Sequence, residues 1–284
     1  MQTIHSIGQH FWYMTAVALT DRPILGLVVG EEKSLLIDAG NSAAHINDFL
    51  HALAQQQVPL PTEVVLTHWH WDHIFGLAAL SLEQSWAHVQ TVEEMRPLQT
   101  YEWTDEAIDA RVATGVEIEF CAKAIKEEFK INRAIEVKLP TQTFTAQHAF
   151  NLGGVSCTVH HIGGDHAADS SVVYIHEDKI LFLGDILYAK MYAEKTHYTV
   201  DGICHVLDAL QAFDADVYIP SHEQPITKKE FEKRATMLRR FAHVTEQCKG
   251  DSQAMRAAYE QQVGRPYSEE ELELHTYFVD GYEG

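Results

Sequence analysis

Glu63-Val64-Val65-Leu66-Thr67-His68-Trp69-His70-Trp71-Asp72-His73 is the stretch on which the fold turns. After Glu63, the residues Val64 to Thr67 are apolar or β-branched in the manner of a short strand, and the histidines follow directly. If the chain stays extended, alternate side chains share a face. His68, His70 and Asp72 then project together while Trp69 and Trp71 face packing. His73 is displaced by one position and, where the chain turns into a helix, faces a second point a few Å from the first. One loop thereby offers ligands to two ions. A lone histidine is ordinarily a hydrogen-bonded core residue, but three His and one Asp at these spacings after a strand make a metal-ligand pattern.

Outward from this run, the N-terminal side reads as an antiparallel meander. Its runs are Phe11 to Leu19, Ile24 to Val29 and Ser34 to Ile37, separated by turns at Asp21-Arg22-Pro23 and Gly30-Glu31. A helix starts at Asn41-Ser42, with Ile46, Phe49, Leu50 and Leu53 at helical spacing, and ends before Pro59. On the other side, residues 91 to 130 read as a charged amphipathic helix pair placed as a cap over the site. Strands are expected at Val155 to Ile162, Val172 to His176, Ile180 to Leu183 and Val217 to Pro220. A helix through Ile203, Val206, Leu207 and Leu210 precedes the last of them. Beyond Pro225 the chain reads as helical to its end. The division expected is a catalytic domain over 1–225, carrying the helical insertion, and a helical extension over 226–284. That extension has three roles open to it: capping the pocket, packing on a sheet, or forming the surface of a homodimer.

Composition narrows the partners. The 284 residues carry a formal charge of −20, which opposes nucleic acid or an anionic membrane as the main partner. Two bound divalent ions would reverse that field locally, so a phosphodiester stays among the alternatives. No apolar run approaches the ~20 residues that cross a bilayer. The first ten residues lack the features of a secretory signal, and a cytoplasmic location is the expectation. Cys121, Cys157, Cys204 and Cys248 are scattered without CxxC spacing and read as reduced thiols. Histidine is the anomaly, with 18 copies.

The H-x-H-x-D-H run after a strand resembles the signature of the metallo-β-lactamase-fold hydrolase superfamily, and four further motifs follow that family's order. They are Leu36-Ile37-Asp38-Ala39-Gly40, Gly164-Asp165-His166-Ala167, Phe182-Leu183-Gly184-Asp185 and Ile219-Pro220-Ser221-His222. Together the five cover the chain from about residue 10 to 225. The resemblance implies an α+β chain folded as a four-layer αβ/βα sandwich with the site at one end of two sheets. It implies that His68, His70 and His166 hold one metal ion and that Asp72, His73 and His222 hold a second. Asp185 would bridge the two beside a hydroxide, and Asp38 would orient a ligating histidine. Zn²⁺ suits such donors, as do Fe and Mn. Asp72 could also orient the nucleophile or accept its proton. The context of His166 departs from the family's, with Asp165 before it and Ala167 after it. His160 and His161 lie nearby and read as strand residues or pocket wall.

For the substrate, the resemblance is to thioesterases of the glyoxalase II type and to acyl-homoserine lactonases. A β-lactamase of the best-known class has a metal-binding cysteine where Asp185 stands. Tyr188, three residues after Asp185, matches a lactonase tyrosine that could hydrogen-bond a developing oxyanion; it reads equally as an aromatic pocket wall. The expected activity is hydrolysis of a small ester, thioester or lactone. The alternatives are a phosphodiesterase or nuclease of the same fold, and a non-catalytic metal-binding protein.

Overall fold

The computed structural model describes residues 2–130 and 133–283; Gly284, the end of the expected helical extension, lies outside them. The chain begins with strands β1 (Ile4–Ile7), β2 (Phe11–Met14), β3 (Leu25–Val29) and β4 (Ser34–Ile37), an antiparallel meander. Helix α1 (Ala43–Gln55) leads to β5 (Glu63–Val65), the short α2 (Trp71–Ile74) to β6 (Gln84–His88), and helices α3 (Val89–Leu98), α4 (Asp105–Ala113) and α5 (Glu119–Glu128) to β7 (Gln142–Phe144). Strands β4 to β7 pair in parallel, completing a sheet in sequence order.

The second sheet holds β8 (Gln147–Asn151), β9 (Ser156–His161), β10 (Ser171–Ile175) and β11 (Ile180–Gly184). Helix α6 (Val200–Gln211) then carries the chain to β12 (Val217–Pro220), which pairs in parallel with β11, and β13 (Ile226–Thr227) closes the edge. Helices α7 (Lys228–Cys248), α8 (Ser252–Val263) and α9 (Glu269–Glu283) finish the chain.

Strand alternation builds the layers. In β4, Leu35 and Ile37 point between the sheets, where they meet Val173, Phe182 and Ile219, while Leu36 points outward to Ile46, Phe49 and Leu53 of α1. In β11, Ile180 and Phe182 point inward and Leu181 and Leu183 outward, toward α6 and α7. Strands buried on both faces have to be apolar at every position, which is the reason for Ile-Leu-Phe-Leu in β11. Each fully buried side chain of this size contributes roughly 1.5–3 kcal/mol. Two sheets face to face with helices outside both are the four-layer α+β sandwich.

Local signals set the helix ends. Ser42 caps α1 by accepting from the His45 N–H. At α7, Thr227 and Glu230 form a reciprocal capping box. The latter helix lays Phe231, Ala235 and Leu238 on the outer face of the second sheet, with the Phe231 ring stacked 4.0 Å from Tyr218. Of the three roles open to the C-terminal helices, packing on the sheet is the one their buried residues take. No helix of the described residues is long and apolar enough to cross a membrane.

Several expectations need correction. The run from Phe11 stops being a strand at Met14, and Ala18–Thr20 is a 3-10 turn. Residues 91–130 hold three helices instead of two, because the chain breaks at Thr114-Gly115 with Gly115 in the left-handed region and at the Thr104 cap. Strands β1, β6, β7 and β8 carry polar residues at most outward positions and went unread.

Candidate metal centre

Strand ends bring the chemistry together. Asp38 follows β4, His68 lies just beyond β5, Asp185 follows β11 and His222 lies two residues beyond β12. The sheets are tied along this edge by the Ser171 N–H donating to the Thr67 carbonyl (2.9 Å) and the Ile24 N–H to the Ser221 carbonyl (2.6 Å). Gly184 makes the turn into Asp185 at φ +57°, where a Cβ would sit 3.0 Å from Thr67 Oγ1.

Two groups of ligand atoms result. His68, His70 and His166 form one, Asp72, His73, Asp185 and His222 the other, with the atoms of each group within 4.8 Å of one another. Asp185 Oδ2 lies at the junction. It is 3.2 Å from His222 Nε2, 3.3 Å from His73 Nε2, 3.4 Å from His166 Nε2 and 3.9 Å from His68 Nε2. Asp72 Oδ2 is 3.0 Å from His73 Nε2 and 3.2 Å from His222 Nε2. Buried His73 Nε2, His166 Nε2, Asp72 Oδ2 and Asp185 Oδ1 nevertheless have no hydrogen-bond partner. Orphaned buried donors and acceptors are costly, and their convergence from both groups fits metal ions.

The extended reading of residues 68–73 is corrected here. Helix α2 begins at Trp71, two residues earlier than the alternation assumed, so Asp72 turns away from His68 and His70 and joins His73, in the grouping the family resemblance implies. Trp71 is buried in the core, while Trp69 is only half-buried, 5.3 Å from the Tyr192 ring.

The far nitrogens are held as well. His73 Nδ1–H donates to Asp38 Oδ2 (2.8 Å), and Asp38 also accepts from the Thr67 N–H (2.7 Å) and hydroxyl (2.9 Å). Since that hydroxyl is spent on Asp38, it accepts from His68 Nδ1–H at 3.0 Å. His166 Nδ1–H donates to the Ala189 carbonyl (3.2 Å), and His222 Nδ1 lies 3.4 Å from Asp21 Oδ1. Such partners fix tautomer and ring orientation in ligating histidines. The departure at Asp165 has a structural reason: it accepts from the N–H and hydroxyl of Thr199, the α6 cap, and so pins the His166 loop.

Burial pulls His68 and His70 well toward the neutral form, and His166 in the same direction; the neutral form is the ligating form. At His73 and His222 burial pulls the same way, but the carboxylates of Asp72 and Asp185 override it and both sit well above the usual imidazole range. Burial, followed by the charge of Asp72, lifts Asp21 to about 7.

Sequence reasoning missed Asp21, Tyr192 and the α5 wall. Asp21 sits in the left-handed region at φ +53°, and its local signal was that of a turn residue. Tyr192 packs 5.0 Å from the His70 ring, and its hydroxyl donates to buried Glu117 (3.0 Å). Helix α5 adds Phe120 and Cys121 to the wall of the cavity over the two groups. Tyr188 lines that cavity with its ring centre 6.0 Å from His222 and 6.1 Å from His166, and its buried hydroxyl makes no hydrogen bond of ordinary geometry. His160 and His161 stay outside it: both are on β9, and His161 stacks on His88 at 3.7 Å.

Comparison with known proteins agrees with this architecture. The family model described as the metallo-beta-lactamase superfamily matches residues 25–222. Among solved structures, a metallo-beta-lactamase from Pontibacter korlensis is 20% identical, with 83% of this chain and 98% of that chain covered and a TM-score of 0.59. One from Hirschia baltica is 18% identical, with 83% and 96% covered and a TM-score of 0.55. A stereoselective inverting sec-alkylsulfatase from Pseudomonas sp. is 16% identical with a TM-score of 0.69; it covers 100% of this chain, which spans only 50% of that one. At these identities the likeness is one of fold. No protein of curated function matches the chain.

Proposed function

The chain belongs to the metallo-beta-lactamase superfamily, and from that premise we propose that it is a dinuclear metal-dependent hydrolase of a small ester, thioester or lactone. The observation that carries this reading is the position of Asp185 Oδ2, within 3.9 Å of imidazole nitrogens from both ligand groups. A carboxylate oxygen at that junction suits a shared ligand for two ions. Storage of a single closed ion would not call for it.

His68, His70 and His166 are assigned to one ion, Asp72, His73 and His222 to the other, and Asp185 to both. Imidazole and carboxylate donors suit Zn²⁺ first, with Fe and Mn as the other fits. When bound, such ions would lower the pKa of a coordinated water to about 7 and polarise the substrate's carbonyl oxygen.

The protein's own groups supply position and proton control. Asp38, the Thr67 hydroxyl and the Ala189 carbonyl hold His73, His68 and His166 in the tautomers that present Nε2 to the site. Burial, reinforced by the charges of Asp185 and Glu223, keeps the Tyr188 phenol protonated far above neutral pH. That hydroxyl can therefore donate to the oxygen that gains charge when the carbonyl is attacked. Asp72 Oδ2, unpartnered between His73 and His222, serves as a ligand, and the Asp72 carboxylate is our assignment for orienting the nucleophile or taking its proton.

Metal analysis of the purified protein with His68→Ala and Asp185→Ala, together with a panel of lactone, thioester, ester, phosphodiester, alkyl sulfate and β-lactam substrates, tests the proposal. Two ions per chain, loss of at least one in each variant, and turnover of a carboxylic ester, thioester or lactone are expected. Full hydrolysis by both variants, or turnover confined to phosphodiesters, sulfates or β-lactams, would overturn it. Stoichiometric metal with no turnover of any substrate would favour a binding role.

A further inference from the structure

The cavity over the two ligand groups has a volume of about 260 Å³, and its floor and walls differ sharply in chemistry. The floor is made by His70, Asp72, His166, Asp185 and His222; the walls are Ala18, Phe120, Cys121, Tyr188, Met191 and Tyr192. None of the described lining residues is Lys or Arg, and the one carboxylate beyond the floor is Asp21. Arg234 has its guanidinium 5.9 Å from the centre of the Tyr188 ring, but its hydrogen bonds go to Glu223 (2.8 and 3.0 Å) and both residues line a different cleft. The Tyr192 hydroxyl is engaged by Glu117. Away from the floor and the Tyr188 hydroxyl beside it, a charged group on a bound molecule would meet apolar surface and, at one point, an acid.

We propose that this cavity binds an uncharged aliphatic chain, so that the substrate is an ester, thioester or lactone whose acyl or alkyl part is a neutral, medium-length apolar tail. A methylene takes up about the room of a water, roughly 30 Å³, so the cavity accepts on the order of eight heavy atoms. The mouth continues the apolar character. Phe120 is 50% exposed, and Leu19, next to the wall residue Ala18, is 73% exposed. Large apolar side chains left in water beside a cavity mark a surface that binds apolar matter. The substrate class rests on the hydrolase reading above, but the tail-binding cavity can be measured without any turnover.

The test is binding of straight-chain carboxylates, butanoate to decanoate, to the metal-loaded protein by calorimetry, with octanedioate and 8-aminooctanoate as tails of equal length bearing charge. Kd is expected to fall about fourfold per methylene until the chain reaches about six carbons, eight heavy atoms with the carboxylate, and both charged-tail ligands to bind at least tenfold more weakly than octanoate. Phe120→Ala, at a half-exposed position where folding is not at stake, should flatten the series while leaving butanoate unchanged. A Kd independent of chain length, no binding of octanoate, an unchanged series in Phe120→Ala, or charged tails bound as tightly as octanoate would each overturn the proposal. Chain-length-dependent binding without hydrolysis of any octanoyl ester, thioester or the corresponding lactone would sink the hydrolase reading alone and leave the cavity assignment standing.

Discussion

Asp38 Oδ2 accepts both the ring N–H of His73 at 2.8 Å and the hydroxyl of Thr67 at 2.9 Å, so one buried oxygen orients a residue from each ligand group, His73 directly and His68 through Thr67. Losing it should weaken metal binding at both. Asp38→Ala is expected to lower metal affinity 10–100-fold and to destabilise the fold by about 1–3 kcal/mol, since the Thr67 N–H loses its acceptor. Asn at 38, which tolerates the left-handed φ of +63° found there, should restore most of the stability but little of the affinity. Chelator competition and thermal melts separate the two effects; equal affinity in wild type and Asp38→Ala would remove the orienting role.

Tyr188 offers a cleaner test of chemistry. Because its buried hydroxyl has no good partner, Tyr188→Phe should leave Tm unchanged or slightly raised. If the phenol serves the developing oxyanion, kcat falls by about 10² with KM little altered. A raised KM with kcat intact would instead make it a wall residue.

The cavity wall contributed by α5 is fastened to the loop bearing Asp21. Arg22 donates to Glu128 at 2.7, 3.0 and 3.2 Å, and the Glu128 side chain is 3% exposed. Arg22→Met leaves that carboxylate with the Ser42 hydroxyl (2.5 Å) but without its counter-charge, and should cost about 3–5 kcal/mol in urea unfolding. In the double variant Arg22→Met/Glu128→Leu, more than half of the loss should return, because no uncompensated charge stays buried. Additive costs in the double variant would show that the pair does not act as a unit.

Asp169 provides a pH dependence away from the ligands. Burial lifts its carboxyl to about 6 against the opposing hydrogen bond from the Thr91 hydroxyl at 2.7 Å. A raised folded value means that its contribution to stability is complete below the ordinary value of 3.8 and is lost as pH rises through about 6. Asp169→Asn should therefore match wild type near pH 4 and exceed it by up to about 3 kcal/mol at pH 7.5, two units at roughly 1.4 kcal/mol each. Melting curves of both proteins across that range give the difference; a constant offset would exclude the titration.

The site was legible where each ligand follows a strand whose apolar run announces it, as with Ile37 before Asp38, Leu183-Gly184 before Asp185 and Pro220-Ser221 before His222. Alternation alone groups Asp72 with His68 and His70, because nothing in Trp69-His70-Trp71 says where extension stops and one residue decides the face; the family resemblance puts Asp72 with His73 and His222, as the structure does. Asp21, Phe120 and Tyr192 were not legible at all. They come from a tight turn, an amphipathic helix and a loop far apart in sequence, and only packing of the sheet edges sets them around one cavity. In the fold, β4 and β11 were plain from their unbroken apolar runs. Gln84 to His88, with exposed Gln84 and buried Ser85, has no such period.

Residues 68 to 73 belong to the half of the molecule built on the first sheet, and His166, Asp185 and His222 to the half built on the second. Each ligand group draws on both halves. A bound ion is then also a rivet driven through the seam. Stripping the metal should let the two half-molecules breathe against each other along that edge, while the apolar layer between the sheets keeps them together.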